Sequence, residues 1–129
     1  MHRLAQEREV VNVVADQQGR PTLASDIADL CLDTVRRGLA GDSVLQGLFH
    51  LAGADDAVWA DIADVVFDHT RAGIGRRPHL NRINTADYPT PAKRPANSRL
   101  DTSKLQHAIS WTPRPWRDTL HRCLIEIAG

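Results

Sequence analysis

The sequence predicts an incomplete α/β fold, with three short strands and four to five helices and too few strands to close a sheet of their own. Three observations predict it. Apolar patterning alternates strand, helix, strand, helix, strand along the chain. The run Val10-Val11-Asn12-Val13-Val14 is β-branched at four of its five positions, which reads as a strand buried on both faces and therefore in need of neighbours. The chain has 129 residues, is 42% hydrophobic and is 25% charged, enough for one packed domain and against wholesale disorder.

Taken in order, residues 1–9 have helical composition but no N-cap residue ahead of the first turn. That reads as a chain cut from something longer. The strand at 10–14 follows, then a Gly- and Pro-marked loop at 16–22. Thr22 is placed to cap a helix over about 23–40, where Leu23, Ile27, Leu30, Cys31, Val35 and Leu39 recur at three- and four-residue steps until Gly41. Residues 48–52 (Leu-Phe-His-Leu-Ala), set between Gly47 and Gly53, read as a second strand. A helix over about 57–72 carries Trp59, Ile62, Val65, Val66 and His69, with Gly73 as its stop. A third strand at 79–83 leads into a Pro-rich segment, and helices over about 101–109 and 115–128 close the chain, Asp101 and Thr102 offering caps to the former.

Sixteen basic residues balance sixteen acidic ones. That zero net charge argues against nucleic-acid and membrane-surface partners, which favour a basic excess. No apolar run approaches the roughly 20 residues of a membrane helix, and the first residues lack a signal-peptide core. A cytoplasmic protein is expected. Cys31 and Cys123 lie far apart inside helical patterns and read as buried free thiols.

Most motifs have plain readings. Ala72-Gly73-Ile74-Gly75-Arg76-Arg77 lacks the third glycine of a dinucleotide loop, and Pro78 follows it. The six histidines show no metal spacing. Arg71, Arg76, Arg77 and Arg82 form a basic cluster best read as a solvated turn, with an anion-contacting surface as the alternative. Two loops ask for more. The stretch 16–22 leaves the C-terminal end of the first strand, the edge at which open α/β sheets bind ligands. The stretch 88–100 is stiffened by prolines and carries Lys93, Arg94, Asn97, Ser98 and Arg99, donors suited to phosphates and sugar hydroxyls. A diphosphate clamp and a stiff surface arm explain it equally well on composition alone.

The loop 16–22, the motif Tyr-Pro-Thr-Pro-Ala-Lys-Arg-Pro-x-Asn-Ser-Arg-Leu at 88–100, and Trp116 together resemble the dTDP-4-dehydrorhamnose reductases. These are extended short-chain dehydrogenase/reductases with a Rossmann-type NAD(P)-binding fold. The likeness runs in order along essentially the whole chain and implies the C-terminal, substrate-binding part of such an enzyme. It implies hydride delivery from NADPH or NADH to the 4-keto group of a dTDP-sugar in dTDP-L-rhamnose synthesis, aided by a Tyr-x-x-x-Lys pair. That pair is not in this sequence: Tyr88 is the only tyrosine, and Ala92 stands four places on. The resemblance places Met1 past the catalytic tyrosine, so no catalytic or cofactor-binding residue is assigned, no cofactor is expected on this chain alone, and the chain is expected to be inactive by itself. Arg20, Arg94, Asn97, Ser98 and Arg99 are the expected substrate-binding residues.

Some members of that family are similar in holding a magnesium ion between carboxylates at a dimer interface. Glu126 matches one such position. The other falls on Ser25, with Asp26 adjacent but about 100° away around a helix, so a two-carboxylate site is not expected. Expected partners are a dTDP-sugar and either an N-terminal half or further copies of the chain. The alternative is a non-catalytic or regulatory subunit on the same scaffold, since the regulatory subunit of methionine adenosyltransferase resembles this family. A nucleic-acid module built on the arginine cluster is disfavoured by the zero net charge.

Overall fold

The computed structural model describes residues 1–42 and 46–128. Five α-helices and four strands follow in the order α1 (His2–Glu7), β1 (Val10–Val14), β2 (Gln18–Gly19), α2 (Ala24–Leu39), β3 (Ala57–Val58), α3 (Trp59–Ile74), β4 (His79–Ile83), α4 (Ser103–Ile109) and α5 (Trp116–Ala128), with a 3-10 turn at Thr85–Asp87. Contacts divide the chain into two compact units: Met1–Gly19 with Ala57–Ser98, and Arg20–Asp56 with Arg99–Ile127.

In the first unit β1 and β4 pair in parallel, Val10 opposite His79 and Val14 opposite Ile83. Parallel strands need a long crossover, and α3 belongs to it. Helix α3 supplies Ala60, Ala63, Val66 and Phe67 to a core shared with Val11, Val13 and Ala5. Phe67 is fully buried, and Thr70 beside it satisfies its hydroxyl by donating to the Val66 carbonyl and bonding His2 Nδ1. The acidic residues of α3 turn toward the arginines that follow it. Arg77 bonds Asp64 and Asp68, and Arg82 Nη2 donates to Asp61 Oδ1 at 2.9 Å. Arg76 donates to the Gln6 carbonyl, so three of the four clustered arginines are occupied within their own unit. The short antiparallel pair β2–β3 completes the unit.

The second unit buries Ala52, Leu105, Ile109, Trp116 and Leu124, with Thr102 and Thr119. Helix α2 buries none of its residues: Ile27, Leu32, Val35 and Leu39 are all exposed.

Several expectations need correction. Residues 48–52 form no strand. An extended segment becomes a strand only by pairing, and here the Leu48 carbonyl instead accepts from Lys104 Nζ at 2.8 Å, the same ammonium lying 4.3 Å from the Phe49 ring. Strand β1 is buried on one face only, since Val11 and Val13 are covered while Val10 and Asn12 are exposed. Helix α3 runs through Gly73 and stops at Gly75, whose N–H makes the last helical bond, to the Arg71 carbonyl, and whose left-handed φ of 73° turns the chain away. Thr22 does not cap α2; Leu23 holds that position. Cys31 is exposed rather than buried, and Cys123 is half-buried; both are free thiols. Among the described residues no helix is long and apolar enough to cross a membrane.

Candidate functional site

In the second unit the loop ahead of α2 is fixed by Thr22. Its hydroxyl donates to the Arg20 carbonyl at 3.0 Å and accepts from the Gly53 N–H at 3.0 Å. Gly53 passes so close to Pro21 that an ideal Cβ there would lie 2.3 Å from the Pro21 carbonyl oxygen, so no side chain fits. The Ala54 N–H donates to the Arg114 carbonyl at 3.0 Å. Pinned at 53 and 54, the chain presents Asp56 to two arginines. Arg20 Nε donates to Asp56 Oδ1 at 2.9 Å, and Arg99 Nη1 donates to Asp56 Oδ2 at 2.8 Å. Arg20 also donates through Nη1 to the Leu100 carbonyl at 3.0 Å, so its guanidinium plane is held at two points. The Arg99 bond first, and the Arg20 bond second, hold the Asp56 carboxyl below the usual carboxylate range. The side chains of Arg20, Arg99 and Asp56 are 28%, 39% and 41% exposed, which leaves the cluster open to a ligand from solvent.

In the first unit the other half of the same two loops is stitched by backbone. Gln18 N–H donates to the Ala96 carbonyl at 2.8 Å, and the Gln18 carbonyl accepts from Ser98 N–H at 2.9 Å and Ser98 Oγ at 3.1 Å. Gln18 and Asn97 pair as a parallel bridge. Upstream, both Asp16 oxygens accept from the Thr85 N–H at 3.0 Å, and Thr85 Oγ1 donates to Asp16 Oδ1 at 2.6 Å. The Thr85 hydroxyl, then its N–H, lower the pKa of Asp16.

The structure therefore brings Arg20 and Arg99 together on one carboxylate, and Asn97 and Ser98 together on Gln18. Arg94 stands apart, exposed, with no side-chain hydrogen bond or ion pair among the described residues. Sequence reading missed Asp56 and Gln18. The Asp55-Asp56 pair after Gly53 was visible, but its partners lie 36 and 43 residues away, and no local period reports that. Guanidinium pairs supply fixed charge and forked N–H donors, and no group that yields a proton. Forked donors of this kind suit the oxygens of an anion.

The two carboxylates named for magnesium, Asp26 and Glu126, differ in their surroundings. Asp26 Oδ1 accepts from Arg114 Nη1 at 2.7 Å, with Arg122 Nη1 at 3.8 Å, so its charge is already neutralised. Glu126 is exposed on α5.

The sequence profile of a family described as "RmlD substrate binding domain" matches residues 1–128. A dTDP-4-dehydrorhamnose reductase of Aggregatibacter actinomycetemcomitans is 42% identical over 122 residues, which are 93% of this chain and 42% of that protein. The dTDP-4-dehydrorhamnose reductase of Salmonella typhimurium is 41% identical over 98% of this chain and 43% of its own length. Among solved structures, a dTDP-4-dehydrorhamnose reductase from Clostridium acetobutylicum superposes with a TM-score of 0.85 at 26% identity, covering 98% of this chain and 42% of that one. One from Bacillus anthracis, in complex with NADP, gives 0.80 at 25% identity, covering 96% and 41%. The chain spans about two-fifths of the length of the curated relatives it matches.

Proposed function

The chain belongs to the RmlD substrate binding domain family, and from that premise we propose that it forms the sugar-nucleotide side of an NADPH-dependent dTDP-4-dehydrorhamnose reductase. The observation that carries this reading is the Arg20–Asp56–Arg99 cluster, where two guanidinium groups face solvent from a rigid loop. A dTDP-sugar presents a diphosphate, and forked donors suit its oxygens. Ser98 and Asn97 are the proposed contacts to the nucleoside or the sugar hydroxyls, and Arg94, standing free on its Pro-stiffened segment, is proposed to meet the ligand from solvent.

Hydride transfer needs a nicotinamide pocket and a group that protonates the new alkoxide. These residues carry no Gly-rich strand-to-helix turn and no Tyr-x-x-x-Lys pair. Both functions belong, on this reading, to residues outside these 129, supplied by an N-terminal half or by another chain. The NADP bound by the Bacillus anthracis relative supports a nicotinamide cofactor for the complete enzyme.

Calorimetric titration of the purified chain tests the reading. The product-like nucleotide sugar dTDP-L-rhamnose is expected to give saturable heat, and NADPH none. Saturable NADPH binding, or reduction of a dTDP-4-keto sugar by the chain alone, would overturn it.

A further inference from the structure

We propose that Asp56 is a positioning residue, a carboxylate that holds the Arg20 and Arg99 guanidinium groups in a fixed fork for a diphosphate. The inference rests on the sugar-nucleotide reading above and adds to it a residue outside both loops of that reading.

The geometry argues it in three steps. Two guanidinium groups brought close repel, and free arginines in water sample many rotamers. Asp56 offsets the repulsion by taking one donor on each oxygen, Arg20 on Oδ1 and Arg99 on Oδ2, at 2.9 and 2.8 Å. The carboxylate is itself held in place, because Gly53 is wedged against Pro21 and bonded to Thr22, and Ala54 is bonded to the Arg114 carbonyl. The neighbouring carboxylate, Asp101, is spent elsewhere: its Oδ1 accepts from the Ser103 N–H at 2.9 Å. Asp56 alone among the described carboxylates bonds Arg20.

A fork held before the ligand arrives lowers the ordering cost of binding. It also fixes the spacing between the two cationic ends. A diphosphate offers two phosphoryl groups, one for each guanidinium, whereas a monophosphate offers one for both. Asp56 is thus expected to govern discrimination between dTDP and dTMP more than general attraction for anions. The opposing possibility is that Asp56 competes with the ligand for both arginines, in which case its removal would tighten binding.

The test is titration of the whole 129-residue chain with dTDP and with dTMP. Asp56→Asn is expected to weaken dTDP by about fivefold, the equivalent of one ordered side chain, while dTMP changes by less than about twofold. Asp56→Glu should recover part of the dTDP affinity. Because Asp56 is exposed, the melting temperatures of both variants should match the parent, which keeps misfolding from mimicking the result. Unchanged or tighter dTDP binding in Asp56→Asn, with Arg99→Ala still weakening it, would refute the positioning role and leave the sugar-nucleotide reading intact. If Arg99→Ala has no effect, or the parent chain binds no dTDP, the sugar-nucleotide reading itself fails and takes the role of Asp56 with it.

Discussion

Three glycines separate steric, conformational and entropic effects of the same added methyl group. At Gly53 an ideal Cβ would lie 2.3 Å from the Pro21 carbonyl oxygen and 3.6 Å from the Arg114 carbonyl oxygen, more than an ångström short of ordinary contact with the first. Neither neighbour is a flexible side-chain tip. Pro21 is ring-locked, and the next residue, Thr22, is bonded to both Arg20 and Gly53. Overpacking costs about 1–3 kcal/mol, and parting the chains also loses the Gly53–Thr22 hydrogen bond, about 1 kcal/mol. Gly53→Ala should therefore cost about 2–4 kcal/mol, which for a domain of this size lowers the melting temperature by roughly 10 °C. At Gly75 the space is open but φ is 73°, so Gly75→Ala should cost about 1 kcal/mol of left-handed strain. At Gly38, in the last turn of α2, nothing lies within 4 Å and φ is ordinary, so Gly38→Ala should gain up to about 0.5 kcal/mol from helix propensity. Melts of the three variants by far-ultraviolet circular dichroism check the order. A Gly53→Ala melt within about 2 °C of the parent would refute the close approach that places Asp56.

Two further outcomes follow from the first unit. Phe67→Ala empties a fully buried site between α3 and the β1–β4 pair and should cost about 3–5 kcal/mol by urea denaturation; a cost below about 1 kcal/mol would mean the site is not packed as described. Asp16, whose folded pKa is lowered by Thr85, should stabilise the unit above the unfolded carboxylate value of about 3.9 and lose that contribution as pH falls through its lower folded value. The gap in urea midpoint between the parent and Asp16→Asn should thus be open at pH 7 and close in acid, whereas a gap that stays constant to pH 3 would contradict the Asp16–Thr85 bonds.

The elements most legible in the sequence are those whose signal is local. Strands at Val10–Val14 and His79–Ile83 carry it in short runs, and the five helices in three- and four-residue apolar steps or helical composition, to within a few residues. Gly75 took over as the stop from Gly73 because Gly75, and not Gly73, adopts the left-handed φ that turns the chain out of the helix. The two-residue strands β2 and β3 were illegible, being too short for any period. Of the expected substrate residues, Arg20, Asn97, Ser98 and Arg99 were chosen for their chemistry and their loops, and the fold groups them by partners that chemistry did not name.

By itself the sequence determined which segments are helix and extended chain, which family they resemble, and which side chains can greet a phosphate, because each of these is written in residue type and near-neighbour spacing. Only the tertiary structure decided that residues 48–52 find no strand to pair with, that Cys31 faces solvent, and that Asp56 gathers two arginines. Those outcomes depend on which distant backbone or charge arrives alongside, and hydrogen-bond partners 36 or 43 residues apart leave no trace in a local pattern.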